Sequence, residues 1–208
     1  MKLLREYIRE LLSEAAANME SLERASAYIV VEDDGDVIDI FYSDKDGEER
    51  AVGVNPPFGS ITIMKPDEGT GPCSDAYTIL FSEASKGWGP LLYDVAIEIA
   101  TMRGGGLTPD RGTVSPEARN IWNYYFTNRS DVTNHQLDAT DRDVKLGKIQ
   151  KLTPSIESDD CGQISAMKDA AAVTGDKQSW HESPLSRRFT KSPSTVQALR
   201  FSGSLIEK

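Results

Sequence analysis

The spacing of apolar residues changes near residue 27, and this change is the feature that most constrains the fold. In residues 2–24, apolar side chains recur every three or four positions with Lys, Arg and Glu between them, as in an amphipathic helix. These apolar positions are Leu4, Ile8, Leu11, Leu12, Ala15, Met19 and Leu22. From Ala27 the spacing becomes two, which is typical of β-strands. A helix followed by several strands predicts an α+β fold.

The first half of the chain contains four predicted strands. Two of them, in residues 28–30 and 37–42, flank the turn 33–36, whose Asp and Gly residues tolerate left-handed backbone conformations. This pair is predicted to form a β-hairpin. The other two strands are predicted at 60–64 and 76–82, with a loop rich in Gly, Pro and Asp between them.

A glycine-rich loop connects the fourth strand to a helix that is predicted to run from Pro90 to about Met102. The apolar side chains of this segment form a stripe, which indicates that the helix packs against a core. Residues 104–106 are all glycine and end the helix, and a short extended piece follows. Ser115 then caps a second predicted helix that runs through Tyr125.

The glycine-rich loop has the features of an anion site. At the start of a helix, free backbone N–H groups and the helix dipole point at the same place, and glycine allows a phosphate to approach closely. Lys86 adds a mobile positive charge. Lys86, Gly87, Trp88 and Gly89 therefore form a candidate phosphate loop, and the alternative is that the two glycines only make a tight turn.

The segment Ala84-Ser85-Lys86-Gly87-Trp88-Gly89 resembles the loop of the GNAT N-acetyltransferases. That family places the pattern Gln/Arg-x-x-Gly-x-Gly/Ala between its fourth strand and third helix, where the loop binds the pyrophosphate of coenzyme A. Residues 91–96 resemble the next helix of the family, and residues 118–125 resemble its fourth helix. The resemblance covers about residues 26–130.

The resemblance implies a mixed, mostly antiparallel sheet flanked by helices, with acetyl-CoA or a related acyl-CoA as the cofactor. The acyl-CoA would lie along the strand near 79–82, with its pyrophosphate over 87–89. The implied cofactor-binding residues are Phe81, Ser82, Ser85, Lys86, Gly87, Trp88 and Gly89.

Amine acylation needs a base for the ammonium proton and an acid for the leaving thiolate. The candidates are Glu83, beside the loop, and Tyr124 or Tyr125, in the second helix. Their alternative roles are a solvated loop carboxylate for Glu83 and helix packing for the tyrosines. The chain departs from the family in having Ala84 at the Gln/Arg position and Trp122 where the spacing would place a tyrosine.

Charge and hydropathy exclude two classes of partner. The formal net charge of -10 argues against nucleic acid, because phosphate binding needs concentrated Lys and Arg. No apolar run approaches the roughly 18 residues of a membrane helix. Residues 1–24 alternate charges throughout, which does not match a secretory signal, so we expect a cytoplasmic location, or the virion for a phage-encoded protein.

The cysteines and histidines predict no metal site. Cys73 and Cys161 are far apart and lack a framework spacing, so we expect two reduced thiols. These cysteines and the histidines His135 and His181 show none of the short spacings that are typical of zinc ligands. A Cys–His hydrolase is not indicated either, because the region of Cys161 has no glycine-rich oxyanion loop. The turn 44–47 does not fit the calcium-loop pattern.

The sequence indicates three regions: an N-terminal helix at 1–24, a GNAT-like core at 25–130 and a polar C-terminal extension at 131–208. Weak helical signals occur near 140–150 and 193–200 in the extension. The last 23 residues contain one acidic residue, Glu207, and five basic residues: Arg187, Arg188, Lys191, Arg200 and Lys208. We expect this tail to fold back onto the acidic body or to contact an acidic partner. The apolar contacts would come from Phe189, Leu199 and Phe201.

Two functional hypotheses follow. The first is a GNAT-like acyl-CoA-binding protein that acts as an N-acetyltransferase on a small amine or a protein amine. The second is a non-catalytic, virion-associated phage protein that uses a GNAT-like scaffold as a structural body. The second arises because residues 1–16 resemble the N-terminal targeting helices of internal head proteins in large tailed bacteriophages.

Overall fold

A computed structural model of the chain describes residues 20–44, 59–65, 75–110, 114–138, 140, 151–161 and 183–208. The strands are β1 (Tyr28–Asp33), β2 (Val37–Ser43), β3 (Gly59–Met64), β4 (Tyr77–Ala84), β5 (Leu107–Thr108), β6 (Val132–Gln136), β7 (Arg187–Lys191) and β8 (Leu205–Glu207). The helices are α1 (Gly89–Arg103), α2 (Pro116–Asn128) and α3 (Ser194–Ser202), with helical residues at 20–25 and a 3₁₀ turn at Pro184–Ser186. Most strand pairs are antiparallel. The predicted α+β class and the mostly antiparallel pairing are confirmed.

The chain divides into two compact units, and the first contains residues 1–64, 79–99 and 193–208. Its strands follow the order β4-β3-β2-β1-β8. β1 and β2 form the predicted hairpin, with Gly35 at a positive φ of 89° in the turn. β8 pairs in parallel with β1, beginning at Ile29↔Leu205.

The core of the first unit follows the period of two predicted for its strands. Alternate residues are buried along β3 and in the first part of β2, while residues 40–43 of β2 are all buried. The apolar residues of α1 from 91 to 99 are also buried. The buried strand residues include Ile38, Ile40, Tyr42, Ile61 and Ile63, and the buried helix residues include Leu91, Leu92, Val95, Ile97 and Ile99. Leu22, the last apolar position of the predicted N-terminal helix, is fully buried. Residues 1–19 of that predicted helix lie outside the described residues.

The second unit contains residues 65–78 and 100–192. Its strands follow the order β6-β7-β5-β4, where β4 contributes Tyr77 and Thr78. β5 is parallel to β4, and β7 is antiparallel to both β5 and β6. Phe189 of β7 is fully buried and stacks on Trp122 of α2 at 4.8 Å between ring centroids. α2 has the predicted cap, because the Ser115 Oγ accepts a hydrogen bond from the Ala118 N–H at 3.1 Å.

Three strands, β6, β7 and β8, lie beyond residue 128, where the sequence predicted none. Their sequences are short and mostly polar, such as Val-Thr-Asn-His-Gln in β6, so they show no clear alternation of apolar residues. The predicted helix near 193–200 is present as α3. The signal near 141–150 lies outside the described residues.

The basic tail folds onto the body, although one predicted contact is wrong. Phe189 and Leu199 are buried, as expected. Phe201 is 97% exposed, because it lies on the face of α3 opposite the buried Leu199.

The prediction of reduced thiols is wrong for Cys161, which is disulfide-bonded. The only other cysteine of the sequence is Cys73, which lies outside the described residues, as do His181 and the turn residues 45–47. Sequence spacing could not reveal this bond, because cysteines that are far apart in the chain are brought together only by folding. Within the described part of the chain, no helix has the length and apolar content needed to cross a membrane.

Candidate functional site

The glycine-rich loop connects β4 to α1, as the sequence predicted. β4 ends at Ala84 and α1 begins at Gly89. A hydrogen bond of 3.0 Å from the Trp88 N–H to the Ser85 carbonyl closes the turn between them. Gly87 has a φ of 87°, which side chains other than glycine rarely adopt. The backbone conformation therefore favours glycine at this position, whether or not a ligand binds.

The side chain of Tyr42 in β2 contacts the loop at Trp88. Its hydroxyl donates a 2.7 Å hydrogen bond to the Trp88 carbonyl oxygen, and the two rings pack edge to face with centroids 5.4 Å apart. Burial raises the pKa of Tyr42 well above its ordinary value, so the hydroxyl remains protonated and continues to donate. The sequence predicts Tyr42 only as a residue of the second hairpin strand, and no local pattern indicates this contact.

β4 continues past its partner β5. The register pairs β5 with Tyr77 and Thr78, whereas β4 extends to Ala84. Among the described strands, none pairs with residues 79–84 on the side away from β3. Leu80 and Phe81 are 57% and 49% exposed there. An unpaired strand edge offers backbone N–H and C=O groups to an extended ligand.

Charge near the loop favours an anion. The first turn of α1 contains no acidic residue, so no side chain of that turn opposes the positive end of the helix dipole. Lys86 is exposed at the tip of the loop. An anion at this position would meet a helix N-terminus and an ammonium group together.

Tyr93 is a polar residue near the loop that sequence reasoning missed. It is buried in α1, and its hydroxyl lies 3.1 Å from the Ser82 Oγ of β4. Burial raises the pKa of Tyr93, and the hydrogen bond with Ser82 lowers it by less. In the sequence, Tyr93 lies four residues, about one helical turn, after Gly89. It belongs to a segment that is predicted only to pack as a helix.

The structure brings the predicted cofactor-binding residues together. All seven lie within the segment 81–89, which runs from the end of β4 to the start of α1. They are Phe81, Ser82, Ser85, Lys86, Gly87, Trp88 and Gly89. Glu83 lies in the same segment and is exposed.

The two predicted catalytic tyrosines belong to the other unit. Tyr124 and Tyr125 are both buried in α2, with ring centroids 5.8 Å apart. Tyr125 also contacts Trp122, and the Arg129 guanidinium lies 5.1 Å from its ring centroid. These contacts give both side chains a packing role in the second unit, and their catalytic role stays a prediction.

No family model, curated protein or solved structure matches this chain.

Proposed function

We propose that this chain is a GNAT-like acyl-CoA-binding protein that transfers an acetyl group to an amine. The observation that carries the proposal is a continuous unit of three parts: the edge of β4 at 79–84, with which no described strand pairs, the loop 85–88, and the N-terminus of α1. β4 is the fourth strand among the described residues, which agrees with the position of the loop in the family that it resembles.

Each part of this unit suits one part of acyl-CoA. The pyrophosphate would lie at the N-terminus of α1, at the positive end of the helix dipole, with Lys86 as a counter-charge. The pantetheine arm is extended and contains amide groups, so it suits the free edge of β4 from Ile79 to Ala84. Leu80 and Phe81, in the same stretch of β4, are exposed apolar side chains.

Acetyl transfer would then require two proton movements. The amine nitrogen loses a proton and attacks the thioester carbonyl carbon, the C–S bond breaks, and the thiolate takes up a proton. Glu83 is exposed beside the loop and is our candidate base. Tyr93 is our candidate acid in the same unit, because its hydroxyl lies 3.1 Å from the Ser82 Oγ, next to Glu83 in β4. Tyr124 and Tyr125 remain the alternatives for the acid.

The test is calorimetric titration of acetyl-CoA into the wild-type chain, Gly87→Asp and Gly35→Asp. Gly35 is a matched control, because its φ of 89° is close to the 87° of Gly87 and it lies in the hairpin turn with open space around it. Both variants add one negative charge at a residue with a similar positive φ. We expect roughly a hundredfold loss of affinity for Gly87→Asp alone, because its carboxylate would occupy the place of the phosphates.

Pantetheine, which lacks the pyrophosphate, serves as a second probe and should bind far more weakly than acetyl-CoA. Equal affinity of wild type and Gly87→Asp for acetyl-CoA would contradict the loop assignment. Turnover with an amine panel then separates binding from catalysis, and an unchanged turnover number in Tyr93→Phe would exclude that tyrosine as the acid.

A further inference from the structure

Three aspartates meet in the second unit, and none of them is among the residues assigned to the acyl-CoA site. Asp138, Asp159 and Asp160 each contribute a carboxylate oxygen, and these oxygens lie within 4.8 Å of one another. Asp138 is fully buried and Asp160 is nearly so. The backbone holds them together, because the Asp138 N–H donates to the Asp159 carbonyl at 2.7 Å and the Cys161 N–H donates to the Asp138 carbonyl at 2.8 Å.

Asp138 is oriented by donors from the segment 151–161. The N–H groups of Leu152 and Thr153 each donate a 3.0 Å hydrogen bond, one to each of its carboxylate oxygens. The Thr153 hydroxyl donates to the Asp159 Oδ2 at 2.6 Å. These contacts fix the positions of two carboxylates before any ligand is present.

Two oxygens of the cluster have no hydrogen-bond donor among the described residues. The Lys151 Nζ donates to the Asp160 Oδ2 at 2.6 Å, but the Asp160 Oδ1 is buried without a hydrogen-bond partner among the described residues. The Asp160 side chain is only 9% exposed. The Asp159 Oδ1 is likewise buried without a described partner. Buried carboxylate oxygens are normally satisfied by a donor or a metal ion, so these two point to a missing positive group.

We propose that Asp138, Asp159 and Asp160 bind one divalent cation, and that Ca²⁺ is the ion. The cluster has three carboxylates and one ammonium, so a divalent cation would neutralise it. Ca²⁺ takes oxygen ligands at about 2.3–2.6 Å, so ligands on opposite sides of the ion are up to roughly 5 Å apart, which accommodates the observed spread. The smaller Mg²⁺ requires a tighter set. The sequence predicts no metal ligands here, because these aspartates come from two separated segments.

The test is titration of the full, chelator-treated chain with CaCl₂, with MgCl₂ and MnCl₂ as parallel arms. The variants are Asp159→Asn and, as the matched control, Glu157→Gln, which removes one exposed carboxylate from the same segment. We expect one Ca²⁺ per chain, unchanged affinity in Glu157→Gln, and at least roughly tenfold weaker binding in Asp159→Asn. Ca²⁺ should raise the melting temperature of the wild type and not that of Asp159→Asn.

Weak binding at several sites, lost equally in both variants, would show only the general attraction of cations to an acidic protein and would overturn the proposal. So would the absence of binding up to about 10 mM Ca²⁺, which exceeds the range of weak extracellular sites. If Asp159→Asn fails to fold, Mn²⁺ broadening of amide resonances in the wild type replaces it. Selective broadening at Leu152 and Thr153 would support the site, and uniform broadening would overturn it.

Discussion

Glu98 shows how a single buried carboxylate can join two elements. It is fully buried in α1 and accepts hydrogen bonds at the N-terminus of α3, from the Thr195 N–H at 2.9 Å and the Val196 N–H at 2.7 Å. The Ser194 hydroxyl lies 3.3 Å from the same side chain. The helix has no capping side chain of its own, so Glu98 satisfies N–H groups that would otherwise be unpaired.

We predict that Glu98→Gln lowers the free energy of unfolding by about 2–4 kcal/mol, because an amide N–H₂ would face a backbone N–H and the charge-assisted hydrogen bonds would be lost. Chemical denaturation at neutral pH measures this. Glu117→Gln, at an exposed position of α2, is the control and should change stability by about 0.5 kcal/mol or less. Similar losses in the two variants would show that the cap contributes little.

At the scale of elements, a close approach of backbones fixes the end of α1 against β7. Gly106 has a φ of 104°, and a Cβ at this position would lie 2.5 Å from the Phe189 carbonyl oxygen and 2.7 Å from the Thr190 Cγ2. The Gly106 carbonyl also accepts a 2.8 Å hydrogen bond from the Tyr77 N–H. Only glycine combines this conformation with this contact.

We predict that Gly106→Ala destabilises the chain more than Gly35→Ala does. Both residues have positive φ, which costs alanine about 1–2 kcal/mol, but nothing lies within 4 Å of a Cβ at Gly35. The steric contact should add about 1–3 kcal/mol at Gly106. Denaturation midpoints of the two variants give the difference directly, and equal midpoints would mean that β7 moves away without cost.

At the scale of the whole molecule, residues 187–208 supply one strand to each of the two units. β7 lies between β5 and β6 in the second unit, and β8 pairs with β1 in the first. Among the ion pairs of the tail, Arg188 and Asp75 are 3.8 Å apart, and Lys208 and Glu32, 2.9 Å apart, are both exposed. Strand pairing and apolar burial, more than charge, therefore hold this segment.

We predict that amides of residues 187–191 exchange slowly with deuterium at both about 0.05 M and about 1 M salt, a range that screens exposed charges strongly. The hairpin strand 28–33 serves as the protected internal reference. A marked acceleration at high salt, confined to 187–191, would show instead that electrostatic attraction keeps the tail in place.

The parts of the fold that the sequence predicted are those that depend on near neighbours. The hairpin of β1 and β2, the cap at Ser115 and the path from β4 through the loop 85–88 into α1 all follow from residues a few positions apart. Period-two alternation, capping and glycine conformation act over such distances, so the sequence alone could place the candidate phosphate loop.

Only the tertiary structure decided which distant segments of the chain contact one another. Four contacts join residues that are remote in the chain. They are the pairing of 132–136 with 187–191, the cap of α3 by Glu98, the hydrogen bond of Tyr42 to Trp88, and the meeting of Asp138 with 159–160. Short polar strands and buried carboxylates are favourable only when a partner supplies hydrogen bonds or charge. The packing of the whole chain determines which residue becomes that partner. No local sequence pattern predicts it.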